Sequence, residues 1–196
     1  MMSLTKKERE ALLILFKDFS TFYNANSLSK KIGISHVGSQ KILKRFKENN
    51  ITVSEKIGKS IIHKIKLDNG YNQKLIAFLL ADEANNFKRW QEEFEELFKK
   101  SKIVMIYGSA IKNYKMASDI DVMIALKKDN LKEVEKVIMK ISKILPKKLH
   151  CIKLTEKDLS ENIKNKQEAI IDIIKNAIVL HGQDKYVEVI QNVSGF

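Results

Sequence analysis

The stretch from Ile103 to Leu126, IVMIYGSAIKNYKMASDIDVMIAL, constrains the fold of this chain more than any other. Two apolar runs, each the length of a β-strand, bracket a Gly-Ser pair and an Asp-Ile-Asp. Side chains alternate across a strand, so Asp119 and Asp121 share one face while Ile120, Val122 and Ile124 take the other. The two acidic positions lie about 7 Å apart along the strand. Carboxylates that close repel one another unless a cation lies between them, and oxygen ligands at this spacing suit Mg²⁺. Gly108 lets backbone approach an anion. The Ser109 hydroxyl and the N–H groups of a short helix or turn over Ala110–Lys115 can bind the oxygens of that anion. A strand, a phosphate-binding turn and a neighbouring strand of metal ligands together predict a nucleoside-triphosphate site.

Charge is distributed unevenly. Residues 1–70 hold 14 Lys/Arg against 6 Asp/Glu, residues 71–100 hold 5 against 6, and residues 101–196 hold 17 against 12. A basic first third points to a polyanionic partner, DNA being the expected one. The longest apolar run, Leu75–Ala81, is far short of the roughly 20 residues that cross a bilayer, and the start MMSLTKKERE lacks the apolar core of a signal peptide. The single cysteine, Cys151, excludes an intramolecular disulfide and a cysteine-rich zinc site. A cytoplasmic protein without membrane attachment is expected.

Thr5 and Glu8 have capping-box spacing, and Leu12, Leu13, Phe16 and Phe19 follow at helical intervals, which predicts a first helix over about Lys6–Phe19. SLSKKIG predicts a second, with Ser27 as N-cap and Gly33 as C-cap. A third begins near Ser35 and runs through HVGSQKILKRFKENN. ITVSEKIGKSIIHKIKL then alternates like two strands around a turn at Gly58-Lys59. The GKS there ends like a phosphate-binding P-loop, but Val53 stands where that motif requires glycine. Asn72–Lys100 is helical in pattern, with a break expected near Asn85-Asn86 and a stripe of Leu, Phe and Trp facing a core. It predicts a linker able to form a homodimer surface.

Helix, helix, turn, helix and hairpin over Ser3–Asp68 resembles the winged helix-turn-helix domain of bacterial and archaeal transcription regulators. Short polar side chains early in its third helix, Ser39 and Gln40 among them, suit base edges. Lys41, Lys44, Arg45 and the wing residue Lys59 suit phosphates.

Gly108-Ser109, nine residues, then Asp119-x-Asp121 resembles the signature of the DNA polymerase β superfamily in its minimal nucleotidyltransferase form. NAIVLHGQDKYVEVI is similar to the closing strand, turn and helix of those proteins, so the resemblance covers about Phe94–Ile190. It implies Mg²⁺-dependent transfer of a nucleoside monophosphate to an acceptor hydroxyl on a nucleic acid, a small molecule or a partner protein. Gly108 and Ser109 would hold the triphosphate, and Asp119 and Asp121 would be the catalytic metal ligands. The resemblance also implies a third acid on the strand after the next helix. KLHCIKL (Lys148–Leu154) offers none; His150 lies near that place, and Glu156 and Asp158 come later. A nucleotide-binding transcription regulator without turnover is the alternative.

The expected architecture is therefore α+β in two domains. A winged helix-turn-helix spans residues 1–70 and a helical linker 71–100. A nucleotidyltransferase-like α/β domain with a small mixed sheet spans 101–196.

Overall fold

A computed structural model of the chain describes residues 3–194. The protein is α+β and its described residues form two compact units, 3–79 and 80–194.

In the first unit, α1 (Lys6–Lys17) opens with the expected capping box: Thr5 accepts from the Glu8 N–H, and Glu8 accepts from the Thr5 N–H. The helix stops at Lys17, two residues short of Phe19, and Asp18 is its C-cap. Helix α2 (Ala25–Ile32) starts earlier than expected. Asn24 is the N-cap, and Ser27 is its capping-box partner three residues on. Both residues can cap a helix, but only Asn24 has a hydrogen-bond acceptor three positions ahead, Ser27; three ahead of Ser27 is Lys30, which only donates. Gly33 closes α2 at φ +66°, the left-handed conformation expected of it. Helix α3 (His36–Glu48) is capped by Ser35.

Strands β1 (Thr52–Ile57) and β2 (Ser60–Ile65) form an antiparallel hairpin whose two-residue turn is Gly58-Lys59. Gly58 takes φ +59°, as the first position of a II′ turn demands. The hairpin is fastened by His63, whose N–H donates to the Tyr23 carbonyl, and by buried Asn72, which donates to the Asn50 and Lys66 carbonyls. Leu12, Phe16, Leu28, Leu43, Phe46, Ile51 and Ile65 are buried in this unit. Three helices followed by a fastened hairpin is the winged helix-turn-helix arrangement. Helix α4 (Gly70–Ala84) begins in this unit and ends in the next.

The second unit is built on a four-stranded sheet of order β5-β4-β3-β6. Strand β3 (Ile103–Tyr107) runs antiparallel to β4 (Asp119–Leu126) and to β6 (Ile178–His181). Strand β5 (Lys148–Thr155) runs parallel to β4, so the sheet is mixed, as expected. Between α4 and β3 the chain forms a 3₁₀ turn at Asn85–Phe87, then α5 (Lys88–Glu93) and α6 (Glu95–Phe98), with the break falling at the two asparagines. Helix α7 (Ser109–Lys112) joins β3 to β4, and α8 (Leu131–Ile144) makes the crossover from β4 to β5. Helices α9 (Glu156–Lys164) and α10 (Glu168–Asn176) lead to β6, and α11 (Gln183–Ser194) follows it.

Val104, Ile106, Ile120, Val122, Ile124, Leu126, Ile178 and Leu180 fill one face of the sheet together with Trp90, Phe94, Leu97 and Val134. Trp90, Phe94 and Leu97 of the linker's stripe are therefore core, with Phe87 and Phe98 packed against it, whereas Phe78 is exposed. Gly182 ends β6 at φ +79°, and a Cβ on it would fall 1.9 Å from the Lys102 carbonyl oxygen. Only glycine fits where these two backbones meet.

Candidate functional site

The sheet register assembles the site. Tyr107 lies opposite Asp121 across β3 and β4, Asp121 lies opposite His150 across β4 and β5, and Asp119 lies opposite Lys148. Partners in a ladder share a face, so Asp119, Asp121 and His150 converge on the side of β4 away from the large apolar core. His150 Nδ1 stands 3.5 Å from Asp119 Oδ2 and 3.6 Å from Asp121 Oδ1. One donor atom from each of the three side chains falls within 4.8 Å of the others, a cluster able to hold a metal ion. Although the acids are two residues apart along the strand, their oxygens reach a common point.

The electrostatics agree with that reading. Burial, then the neighbouring Asp119, push the Asp121 carboxyl above its ordinary range, with His150 opposing them. Burial and the same Asp121 push the Tyr107 phenol up to about 12. Among the described residues neither Asp119 nor Asp121 is paired with a lysine or arginine, although the chain has 36 of them against 24 acids.

Gly108 is packed directly on this cluster. It takes φ +79° and ψ −155°, and a Cβ there would sit 2.4 Å from Asp121 Oδ2. Its freedom is needed twice, for the backbone conformation and for the close approach of the carboxylate. Ser109 is exposed at the first position of α7, whose N-cap supplies no side-chain bond. The Gly-Ser turn and the Asp-x-Asp strand, separate in sequence, thus meet through Gly108 and Asp121.

The late acids lie elsewhere. Thr155 pairs with Leu126 at the far end of β4 from Asp119, and Glu156 and Asp158 lie beyond it in α9. Glu156 comes six positions after His150, roughly 20 Å along the strand direction. Glu156 is ion-paired with Lys185 at 3.0 Å, and Asp158 is held in the capping box of α9. Neither can complete the cluster. Two carboxylates fit Mg²⁺, which prefers oxygen, but the imidazole that completes the donor set does not.

In the first unit the residues expected at DNA divide by helix face. Gln40, Lys44 and Lys59 line one groove between α3 and the hairpin, together with His36, Lys47 and His63. Lys41 is exposed further round α3. Ser39 is fully buried and presents nothing to a ligand. Arg45 turns toward α1, donating to Glu8 Oε1 at 2.5 Å and to the Ser3 carbonyl at 2.7 Å. Lys47 and His63 share the groove without having been expected there, whereas His36, at the start of the recognition helix, was a candidate for a base edge. For Lys47 the signal was present, since it falls seven residues after Gln40 and therefore on the same helical face.

Residues 91–186 match the family model described as polymerase beta, nucleotidyltransferase. Solved structures similar to the chain include a mutant of Lactococcus lactis ZitR, 17% identical over 47% of this chain and 64% of that one, with a TM-score of 0.37. The adhesin competence repressor AdcR of Streptococcus pyogenes is 12% identical over 74% of this chain and 84% of that one, with a TM-score of 0.38. The chain spans less than two thirds of the ZitR chain. No curated protein matches it. Among the described residues no helix is long and apolar enough to cross a membrane.

Proposed function

We propose, from the premise that residues 91–186 form a nucleotidyltransferase domain of the polymerase β family, that this chain binds a nucleoside triphosphate there while its winged helix binds DNA. Gly108, Ser109 and the free N–H groups at the start of α7 receive the phosphate oxygens. Asp119 and Asp121 hold the divalent cation that accompanies the triphosphate. When bound, that ion supplies charge neutralisation for the phosphates. The reaction that the family match implies is transfer of a nucleoside monophosphate to an acceptor hydroxyl on a nucleic acid, a small molecule or a partner protein, with pyrophosphate leaving. The convergence of Asp119 and Asp121 at the Gly108 turn is the observation that carries the binding reading.

A second reading has one observation in its favour. His150 stands where the resemblance implies a third carboxylate, and no acid on β5 or α9 replaces it. The domain then holds nucleotide without transferring it and reports its presence to a DNA-binding regulator.

For the DNA contact, His36 and Gln40, one turn apart at the start of α3, stand available for base edges, with Lys44, Lys47 and Lys59 for phosphates. Lys41 remains available at the edge of that face. Incubation with α-labelled nucleoside triphosphates separates the readings. Transfer predicts covalent label on an acceptor, lost in Asp119→Asn/Asp121→Asn. Sensing predicts saturable filter retention of the nucleotide with no covalent label. Retention unaffected by the double substitution would refute both.

A further inference from the structure

The geometry points to a zinc-type site, selective for a borderline dication such as Zn²⁺ or Co²⁺ over Mg²⁺, at Asp119, Asp121 and His150. This deepens the nucleotide-site reading by naming the ion, and rests on it for the role of the two aspartates as ligands.

Three observations carry it. The donors are two carboxylates and an imidazole, and nitrogen donors favour first-row transition dications whereas Mg²⁺ is held by oxygen. Three protein ligands with one open position is also the arrangement of catalytic zinc sites, the open position taking water or substrate. The spacing approaches that of a coordination shell on the two edges that meet at His150, and all three donor atoms lie within 4.8 Å of one another. Ligand atoms about 2.0–2.1 Å from a tetrahedral ion lie about 3.3 Å from each other, and the His150 Nδ1 distances to the two carboxylates are 3.5 and 3.6 Å. An octahedral shell of Mg²⁺ at about 2.0–2.1 Å would bring its neighbours to roughly 3 Å.

The surroundings favour an ion as well. The two acids are three-quarters buried as side chains, at 28% and 24% exposed, and pair with no lysine or arginine among the described residues. Rigid strands position all three ligands, two residues apart on β4 and directly opposite on β5. His150 is 45% exposed as a side chain, which leaves the ion a path from solvent. Cys151, the one thiol, points to the other face of β5 against the apolar core, so it adds no ligand.

The test is direct binding to the full chain without nucleotide. Isothermal titration measures Zn²⁺ and Mg²⁺, and the visible absorption of Co²⁺ reports coordination number. The expected result is one tight Zn²⁺ per chain, held at least about 100-fold more tightly than Mg²⁺, with an intense four-coordinate Co²⁺ spectrum. His150→Asn is expected to lower Zn²⁺ affinity by at least about tenfold and leave Mg²⁺ unchanged. His150→Asp should shift preference toward Mg²⁺. Since His150 is half-exposed, both variants should fold, and circular dichroism checks this. Equal affinity for Zn²⁺ and Mg²⁺, or Zn²⁺ affinity indifferent to His150→Asn, overturns the inference. Filter retention of a labelled triphosphate in Mg²⁺, measured on the same samples, keeps the two readings apart. Retention with His150-independent zinc sinks the zinc site alone. Tight His150-dependent zinc without retention sinks the nucleotide reading alone.

Discussion

Replacing Gly108 by alanine tests the junction on which the candidate site depends. The substitution acts in two ways. Its backbone, at φ +79° and ψ −155°, occupies a region that residues with a Cβ scarcely enter, at a cost of roughly 1–3 kcal/mol. For a domain of this size that corresponds to a fall in Tm of about 4–12 °C. The new methyl would also lie 2.4 Å from Asp121 Oδ2, inside the 3.0 Å that Cβ contacts respect. A carboxylate is the flexible end of its side chain, so it swings away, by more than the roughly 0.5 Å within which binding groups must be held. Nucleotide affinity is therefore expected to fall about 10- to 100-fold, beyond what the stability loss explains. The control is Gly58→Ala, where φ is +59° but nothing lies within 4 Å of the added methyl. It should lower stability and leave nucleotide binding intact. Thermal melts followed by circular dichroism, with filter retention of labelled triphosphate, read both effects. If Gly108→Ala melts within about 1 °C of the parent and binds nucleotide equally well, the close approach of Gly108 to Asp121 is not a feature of the protein.

Gly182→Ala is expected to be worse for folding than Gly108→Ala. Its methyl meets the Lys102 carbonyl at 1.9 Å, and that obstacle is backbone rather than a mobile side chain. Soluble expression or the urea midpoint checks it, and a near-normal midpoint refutes the packing. Arg45→Ala should act on stability, since it leaves Glu8 buried without its guanidinium partner, a loss of about 1–3 kcal/mol. Lys44→Ala/Lys47→Ala should instead weaken DNA binding and flatten its salt dependence with little change in Tm, which a fluorescence-anisotropy salt titration and a melt separate. Glu8 gives the pH prediction. Burial opposes its ionisation, but the Thr5 N–H and hydroxyl and the Arg45 guanidinium outweigh burial and hold the carboxyl below its ordinary 4.5. A depressed carboxyl contributes stability that is present above the unfolded value and lost as pH falls through the folded one. The Tm gap between parent and Glu8→Gln should therefore be full at pH 7 and close below about pH 4.5.

What could be read from the sequence was what is encoded within a few residues. The Thr5–Glu8 box, the Gly33 cap, the Gly58-Lys59 turn and the alternation of Asp119 and Asp121 all depend on neighbours in the chain. Their spacing carried enough physics to place them. The errors have a different origin. Ser39 and Arg45 were grouped with Gln40 and Lys44 because short polar residues early in a recognition helix suit base edges and basic residues further along suit phosphates. Which of them face outward depends on the phase of α3 against α1 and the hairpin. Arg45 meets Glu8 from 37 positions away, and no local pattern announces a partner at that distance. The absence of a carboxylate from KLHCIKL was visible in the sequence, with His150 expected near the vacant place; that it lies directly opposite Asp121 follows from a parallel register set by the α8 crossover.

That register explains why β4 is built as it is. A carboxyl raised by burial and by a like-charged neighbour gives the fold stability only while it is protonated. This stability is present below the unfolded value of 3.8 and lost as pH rises through the higher folded one. At neutral pH Asp121 therefore works against folding. The opposite face of the strand offsets this: Ile120, Val122, Ile124 and Leu126 are buried against the helices and would hold β4 in the sheet whatever stood at 119 and 121. A half-buried carboxylate that costs stability, lacks a basic partner in a chain rich in lysine and converges with an imidazole is what the proposed cation site accounts for. A cation bound there would restore what the sheet gives up in its absence, with Gly108 setting the Gly-Ser turn against the same carboxylate.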